Sequence, residues 1–504
     1  MKILKTIILE SMLILGIAGC SDDYLNISPT DSVVTSTFYK TDNQMLEALT
    51  SAYSSLGNHY FYGNEYAVKR LLAEEGVGTS EAGMLDILDF VFRNTDSFIE
   101  NIWGSCYQGI YRCNLVMQKA PLADQIQYPE LLDRIVAEAT VLRALYYWHI
   151  VTLWGDAPLR IVDNMDEKII AKSDADIIWQ FIEDDLASVV SSGNLPASYT
   201  GGNYETLTGG NEQGRITQGA AIALLGKVLL YRKNYTKAAS YFSQIIESST
   251  YHYSLNTNLE DVWSVAGENT PEMVLEVMFS KTLGGTGATN TDGAGTSEGG
   301  YRNIFIGPGQ FGAWDNVYPT QTIVDEFEPG DPRLDAFIWS DGDVVNGYGI
   351  YDPDLNKGDY SIKKGMGANF TDFVSGGFDE NTPLIRYADV LLMYAECLAN
   401  GAAGSKTASY YVDIVRKRAF GTNFKSVETL MAEKGWNIMT AIKHERAVEL
   451  CFEYHRFNDL VRWGDALVNN DYESRGISSK GLYLPIPQYD IDNSNGVLIQ
   501  NSDY

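Results

Sequence analysis

The chain has 504 residues, is 45% hydrophobic, and sets 66 Asp and Glu against 37 Lys and Arg for a formal charge of −29. That length and apolar content support a large buried core. A surface so acidic repels nucleic acid, anionic lipid and polyanionic polysaccharide, and it leaves neutral sugars and neutral or basic peptides as compatible ligands.

Residues 1–19 read as a targeting segment, set aside from fold reasoning. Lys2 and Lys5 form a basic start, residues 6–19 are mostly apolar with Glu10 as an interruption, and the run is too short for a membrane span. It ends Ile17-Ala18-Gly19-Cys20. Small residues before a cysteine resemble a bacterial lipobox, so Cys20 is the expected lipidated residue. The other cysteines are Cys106, Cys113, Cys397 and Cys451. Cys106 and Cys113 fall on one predicted helix, roughly 10.5 Å apart along its axis, which is too far for a disulfide. All four sit in apolar helical contexts and read as small buried hydrophobes.

Helical patterns dominate both ends of the mature chain. Residues 101–154 carry one candidate hairpin, whose second helix runs from Glu130 to Trp154 without Gly or Pro and is stopped by Gly155 and Pro158. From Ala144 onward that helix has no Asp, Glu, Lys or Arg, so it enters a core. Residues 215–247 form the clearest hairpin. Leu225-Gly226 and Leu229 face Ala238, Phe242 and Ile245 across a Lys233-Asn234 turn, the small-and-large spacing of a tetratricopeptide unit. Residues 388–419 read as a weaker hairpin with its turn at Gly401 to Gly404, and residues 440–468 as one further long helix. One such unit cannot bury its face alone, so several must stack.

The middle differs. Residues 281–300 contain seven Gly and five Thr with almost nothing apolar, so they form no core element, and residues 340–382 are again rich in Gly, Asp and Asn. Loops this long in a compact protein are usually functional or disordered. Short strands are expected at 273–279 and 301–306, and a helix at 320–327.

Four long motifs then resemble the SusD/RagB family: Glu138 to Leu159 (EATVLRALYYWHIVTLWGDAPL), Pro383 to Glu396 (PLIRYADVLLMYAE), Glu445 to Gly464 (ERAVELCFEYHRFNDLVRWG), and the tail segments LYLPIP at 482–487 and QNSDY at 500–504. The resemblance spans the mature chain in the expected order; the departures are Glu10 and Cys451. It implies a mainly α fold, a tetratricopeptide-like helical-hairpin scaffold (an α-α superhelix) with a loop-rich ligand-binding region and minor β. Behind the signal peptide at 1–19, residues 20–504 are expected to form a single SusD-like unit, with an N-terminal helical part at 20–270, the loop-rich region at 271–382 and a C-terminal helical part at 383–504. It implies a surface-exposed glycan-binding lipoprotein, anchored to the outer leaflet of the outer membrane, that captures oligosaccharide and delivers it to a SusC-like TonB-dependent transporter. The acidic Ser21-Asp22-Asp23 after Cys20 resembles the export tag of surface lipoproteins in the Bacteroidetes. Peptide binding, as in the RagB branch, and a surface glycoside hydrolase are the alternatives.

The candidate ligand residues are aromatics of the loop zone, Tyr301, Phe305, Phe311, Trp314 and Tyr318, since aromatic faces stack on the C–H faces of sugar rings. The resemblance favours Trp314 first and Tyr301 second, from their offset to the helix at 320–327; packing of Trp314 beneath the loops is the competing reading. A further ligand loop is expected at 74–93, with Glu75, Asp86 and Asp89 as polar candidates. Chemistry motifs are weak. His444-Glu445 starts like a zincin helix, but position 448 is Val. Gly307-Pro-Gly309-Gln-Phe-Gly312 matches a dinucleotide fingerprint, but Pro308 and Pro319 make it a loop. Asp352, Asp354 and Asn356 alternate as in a Ca2+ loop, but the glycine is displaced and Lys363 stands where a bidentate Glu belongs. An Asx-rich turn is favoured there. The charged residues Arg446, Glu449, Glu453, Arg456, Asp459 and Arg462 step by three and four, which reads as a stripe of ion pairs along one helix. No catalytic residue and no cofactor are expected.

Overall fold

The computed structural model describes residues 38–63, 75–79, 92–198, 212–280, 300, 302–366, 378–465, 482–502 and 504. The N-terminal half is a run of antiparallel helices. Helix α1 (Asp42–Ser54) opens with a capping box in which the Thr41 hydroxyl and the Gln44 side chain satisfy each other's backbone N–H groups. After the short strand β1 (Gly76–Gly78) come α2 (Ser97–Lys119), α3 (Pro129–Trp154) and α4 (Ala175–Ser192). Helix α3 starts on Pro129, whose missing N–H is no loss at a first turn, and nearly all of its second half is buried. Its packing on α2 is close because Gly109 lies under the ring of Tyr146, where an added Cβ would meet the ring carbon Cζ at 2.3 Å.

The hairpin predicted at 215–247 is α5 (Gln218–Tyr231) and α6 (Tyr235–Ile246). Thr217 caps the first helix and Asn234 the second, and Lys233 supplies the left-handed turn residue with φ of 58°. Gly226 is the small residue the spacing called for: a Cβ there would stand 2.5 Å from Cε1 of Phe242. Strand β2 (Met273–Val277) follows, then α7 (Arg302–Ile306), β3 (Val317–Pro319), α8 (Gln321–Glu326) and α9 (Pro332–Phe337). The C-terminal part consists of β4 (Thr382–Arg386), α10 (Tyr387–Ala399), α11 (Ala408–Phe420), α12 (Val427–Lys434), α13 (Ile438–Glu449), α14 (Arg456–Trp463) and α15 (Gln488–Asp492). Strands β2 and β4 pair antiparallel, as do β1 and β3. Packing runs from α2 to α3 to α4, on to α5 and α6, and through α10 to α11 and α13. This is the stacked-hairpin arrangement expected of a tetratricopeptide-like scaffold. Cys106, Cys113, Cys397 and Cys451 are free and buried. Among the described residues no helix is long and apolar enough to cross a membrane.

Three expectations are corrected. Residues 302–306 are a short buried helix rather than a strand. Arg302 is anchored there by Tyr454 (3.0 Å) and the Lys364 carbonyl (2.9 Å), with its guanidinium 4.2 Å above the Trp263 ring. The helix expected at 440–468 is broken between Glu449 and Arg456, where Phe452 and Tyr454 take φ of 63° and 69°. No Gly or Pro marks the break; the Glu75 carboxylate accepts the Phe452 N–H at 3.1 Å and so satisfies the turn from outside it.

The charged stripe is therefore split between two helices and the turn that joins them, is largely buried, and pairs mostly with other elements. Arg446 binds Asp459 and Asp389, each at 2.7 Å, and Lys227 reaches Asp389 at 3.1 Å. Arg462 joins Glu396 to Asp459. Arg386 gathers Glu272, Glu449 and Glu453, and Arg333 gathers Asp331, Glu445 and Glu449. Such networks add little net stability over an apolar core, but removing one partner leaves an uncompensated charge, so they hold elements in one register.

Candidate functional site

The loop zone folds onto itself through main-chain hydrogen bonds. The N–H groups of Trp314, Asp315 and Asn316 donate to the carbonyls of Ile304, Gly307 and Phe305 at 2.7, 3.1 and 3.0 Å. Gly312 (φ 95°) and Asp315 (φ 49°) make the left-handed turns that this reversal requires. The result lifts Trp314 out of the core. Its side chain is 45% exposed, and its ring meets the buried Phe305 edge-on with centroids 5.9 Å apart. Of the two readings of Trp314, packing beneath the loops is not what the structure shows.

A second segment braces this one from the side. The Lys357 ammonium donates to the Trp314 carbonyl (2.8 Å), and its backbone N–H donates to Asp315 Oδ2 (2.6 Å). Asp315 is turned under the loop; burial pushes its carboxyl up, against the pull of the Lys357 N–H and ammonium. Phe311, half-buried, packs on Tyr348 at 5.3 Å. Tyr318 lies across Gly358, where a Cβ would come within 2.2 Å of its ring, so only glycine admits the tyrosine at that point. Phe311 and Tyr318 through their rings, and Trp314 through its carbonyl, are thus each tied to the segment at 348–358. Lys357 and Tyr348 were not singled out in the sequence; the Gly- and Asp-rich composition of 340–382 was the only signal for them.

The other candidates fare differently. Tyr301, Asp86 and Asp89 lie outside the described residues. Glu75 is beside the loop zone through its backbone, whose carbonyl accepts the Thr320 N–H at 3.1 Å, but its side chain is only 1% exposed. Burial pushes that carboxyl up to about 8, although the Phe452 N–H and the Arg456 and Lys364 cations oppose the shift. As a surface ligand group, Glu75 is corrected to an interior residue: strand β1 pairs with β3 and carries its carboxyl into the core, toward the turn at Phe452. Asp352, Asp354 and Asn356 form an Asx turn. Asp352 Oδ1 accepts the Asp354 N–H (3.0 Å), and Asn356 Oδ1 accepts the Gln310 N–H (3.0 Å) while its amide donates to Gln310 Oε1 (2.6 Å). Two of the three proposed Ca2+ ligands thus spend side-chain oxygens on peptide groups, and no cluster of three His, Cys, Asp or Glu side chains suited to a metal occurs among the described residues. Those same bonds tie the 352–356 turn to the segment carrying Phe311.

The stacked helices make a mainly α, tetratricopeptide-like scaffold that presents the exposed indole of Trp314 on a doubly braced loop. Comparison with known proteins agrees on the scaffold. Residues 271–504 match the model of the SusD family, and residues 23–230 match a model described as starch-binding, associating with outer membrane. The chain belongs to the SusD-like family. A SusD-like protein of Formosa agariphila is 27% identical over 551 residues, covering 99% of this chain and 98% of the relative. A solved laminarin binding SusD-like protein is 28% identical with a TM-score of 0.76, covering 92% of this chain and all of that one. The surface glycan-binding protein A of Bacteroides thetaiotaomicron, solved in complex with laminarihexaose, shares the fold with a TM-score of 0.75, 22% identity and coverage of 92% and 100%.

Proposed function

We propose that this protein captures neutral oligosaccharide at the cell surface and hands it to a SusC-like TonB-dependent transporter, held in the outer membrane by a lipid on Cys20. The observation that carries the reading is Trp314, an indole nearly half in solvent on a loop braced by Lys357. An exposed aromatic offers large stacking area for a pyranose ring at low entropic cost. The laminarin, laminarihexaose and starch named for the relatives and family model support a saccharide over a peptide. The formal charge of −29 favours a neutral glycan over a polyanionic one. The reading assigns no acid, base or nucleophile, so the ligand leaves as it arrived.

The test is Trp314→Ala, titrated calorimetrically with laminarihexaose and with maltohexaose. Truncating a central aromatic anchor costs about 2 kcal/mol, so the affinity for the sugar bound by the parent should fall about tenfold or more. The thermal midpoint should stay nearly unchanged, because a half-exposed ring leaves no core cavity; a core Trp→Ala costs about 3–5 kcal/mol. Full affinity in the folded variant would overturn the assignment of Trp314, and binding of neither sugar by the parent protein would overturn the reading.

A further inference from the structure

A cavity of about 330 Å3 opens between the first turns of α2, the connection at 158–170 and the C-terminal turn around α15. It shares no residue with the Trp314 face. Its walls combine two features. One is aromatic: the buried Trp103, Tyr107 packed on it at 4.8 Å, and Tyr489, which is 66% exposed at the mouth. The other is a balanced set of charges: Glu100 and Asp490 as acceptors, Arg160 and Lys168 as donors.

These groups are held in place. Tyr107 donates its hydroxyl to the Pro158 carbonyl (2.7 Å). The Arg160 guanidinium donates to the carbonyls of Glu167 (2.7 Å) and Lys168 (3.3 Å). The α15 turn is fixed by Ser494, whose hydroxyl donates to Ile491 O and accepts the Leu498 N–H. Burial and the neighbouring Glu100 push the Asp490 carboxyl up, while Arg160 and Trp103 pull it down. Two acids against two bases select neither anion nor cation. They suit hydroxyl groups, each of which donates and accepts, and the exposed tyrosine ring suits the apolar face of a sugar.

We propose that the cavity formed by Trp103, Tyr107, Tyr489, Glu100, Asp490 and Arg160 is a second saccharide site, taking one or two rings of a neutral glycan. A single-ring site is weak alone, but a long glycan held at two places gains from the high effective concentration of its second segment. The proposal rests on the reading of the protein as a neutral-glycan binder, and the test keeps the two apart.

Isoleucine methyl NMR reads the site directly, because Ile169 and Ile170 line it. Glucose, maltose and laminaribiose are titrated in turn, with glucuronic acid and glucosamine as charged probes. At least one neutral sugar should move the Ile169 and Ile170 signals saturably, in the parent protein and equally in Trp314→Ala. Tyr489→Ala and Asp490→Asn should abolish the movement or raise the apparent Kd at least tenfold, with an unchanged thermal midpoint for the exposed Tyr489. Silence of both methyls with all three neutral sugars overturns the proposal, as does tighter binding of either charged probe. If laminarihexaose or maltohexaose binding depends on Trp314 while these methyls stay silent, only the second site falls. If the methyls respond while Trp314→Ala leaves oligosaccharide affinity intact, only the assignment of Trp314 falls.

Discussion

Glu75 shows how far one side chain departs from its local context. The backbone around it belongs to the edge of the ligand face, yet its carboxyl lies inside with the Phe452 N–H, facing Arg456, Lys364 and Glu453. Burial holds it up to about 8 from an ordinary value of 4.5. The folded protein therefore keeps the proton while the unfolded chain releases it, so stability from this group is full below about 4.5 and is lost as pH rises toward 8. Glu75→Gln keeps an acceptor for the Phe452 N–H and carries no proton to lose. Its thermal midpoint should rise relative to the parent as pH goes from about 5 to about 8; parallel profiles would mean that Arg456 and Lys364 hold the carboxylate ionised. His455 runs in the opposite sense. Burial and the Lys227 ammonium push it down from 6.5 to about 4, so its contribution is full above 6.5 and is lost as pH falls toward 4.

At the scale of elements, small residues set the helix spacing. Gly226 lets α5 approach α6 until Phe242 fills the place where a Cβ would stand. Ala improves helix propensity over Gly by about 1 kcal/mol, but overpacking a closed core costs about 1–3 kcal/mol. Gly226→Ala should therefore lower the thermal midpoint, whereas Gly104→Ala in α2, with nothing within 4 Å of its Cβ, should raise it. A rise in both would mean that the hairpin relaxes around the methyl group. The α5–α6 pair was legible in the sequence because its periodicity, turn and small-large spacing are all local. The break between α13 and α14 was not legible, because the group that satisfies the Phe452 N–H comes from Glu75, 377 residues away.

For the whole molecule, net charge bears on how the protein could be held at a membrane. A surface of net charge −29 stays away from anionic lipid, so membrane attachment would rest on the anchor at Cys20. Cys20→Ala should move the protein from the membrane fraction to the soluble fraction with its oligosaccharide affinity unchanged. Retention of the variant in washed membranes would assign attachment to the folded part instead.

Helical content, the α5–α6 hairpin and the buried cysteines are properties of short windows, in which apolar period and turn residues act over a few positions. The sequence by itself determined these; the Gly-rich stretch at 281–299 lies outside the described residues. The tertiary structure alone decided three further matters. It made the ion pairs of α13 and α14 cross-links to Asp389, Arg386, Arg333 and Glu396 rather than a stripe on one helix. It turned Glu75 inward and Trp314 outward, although both come from loop-like stretches. It also brought α2, the 158–170 connection and the C-terminal tail around one cavity. For the ion pairs, Glu75 and the cavity the deciding partners lie far away in the chain, and for Trp314 the bracing Lys357 is 43 residues on. Burial and hydrogen-bond satisfaction depend on what is near in space, and spacing along the chain carries no record of that.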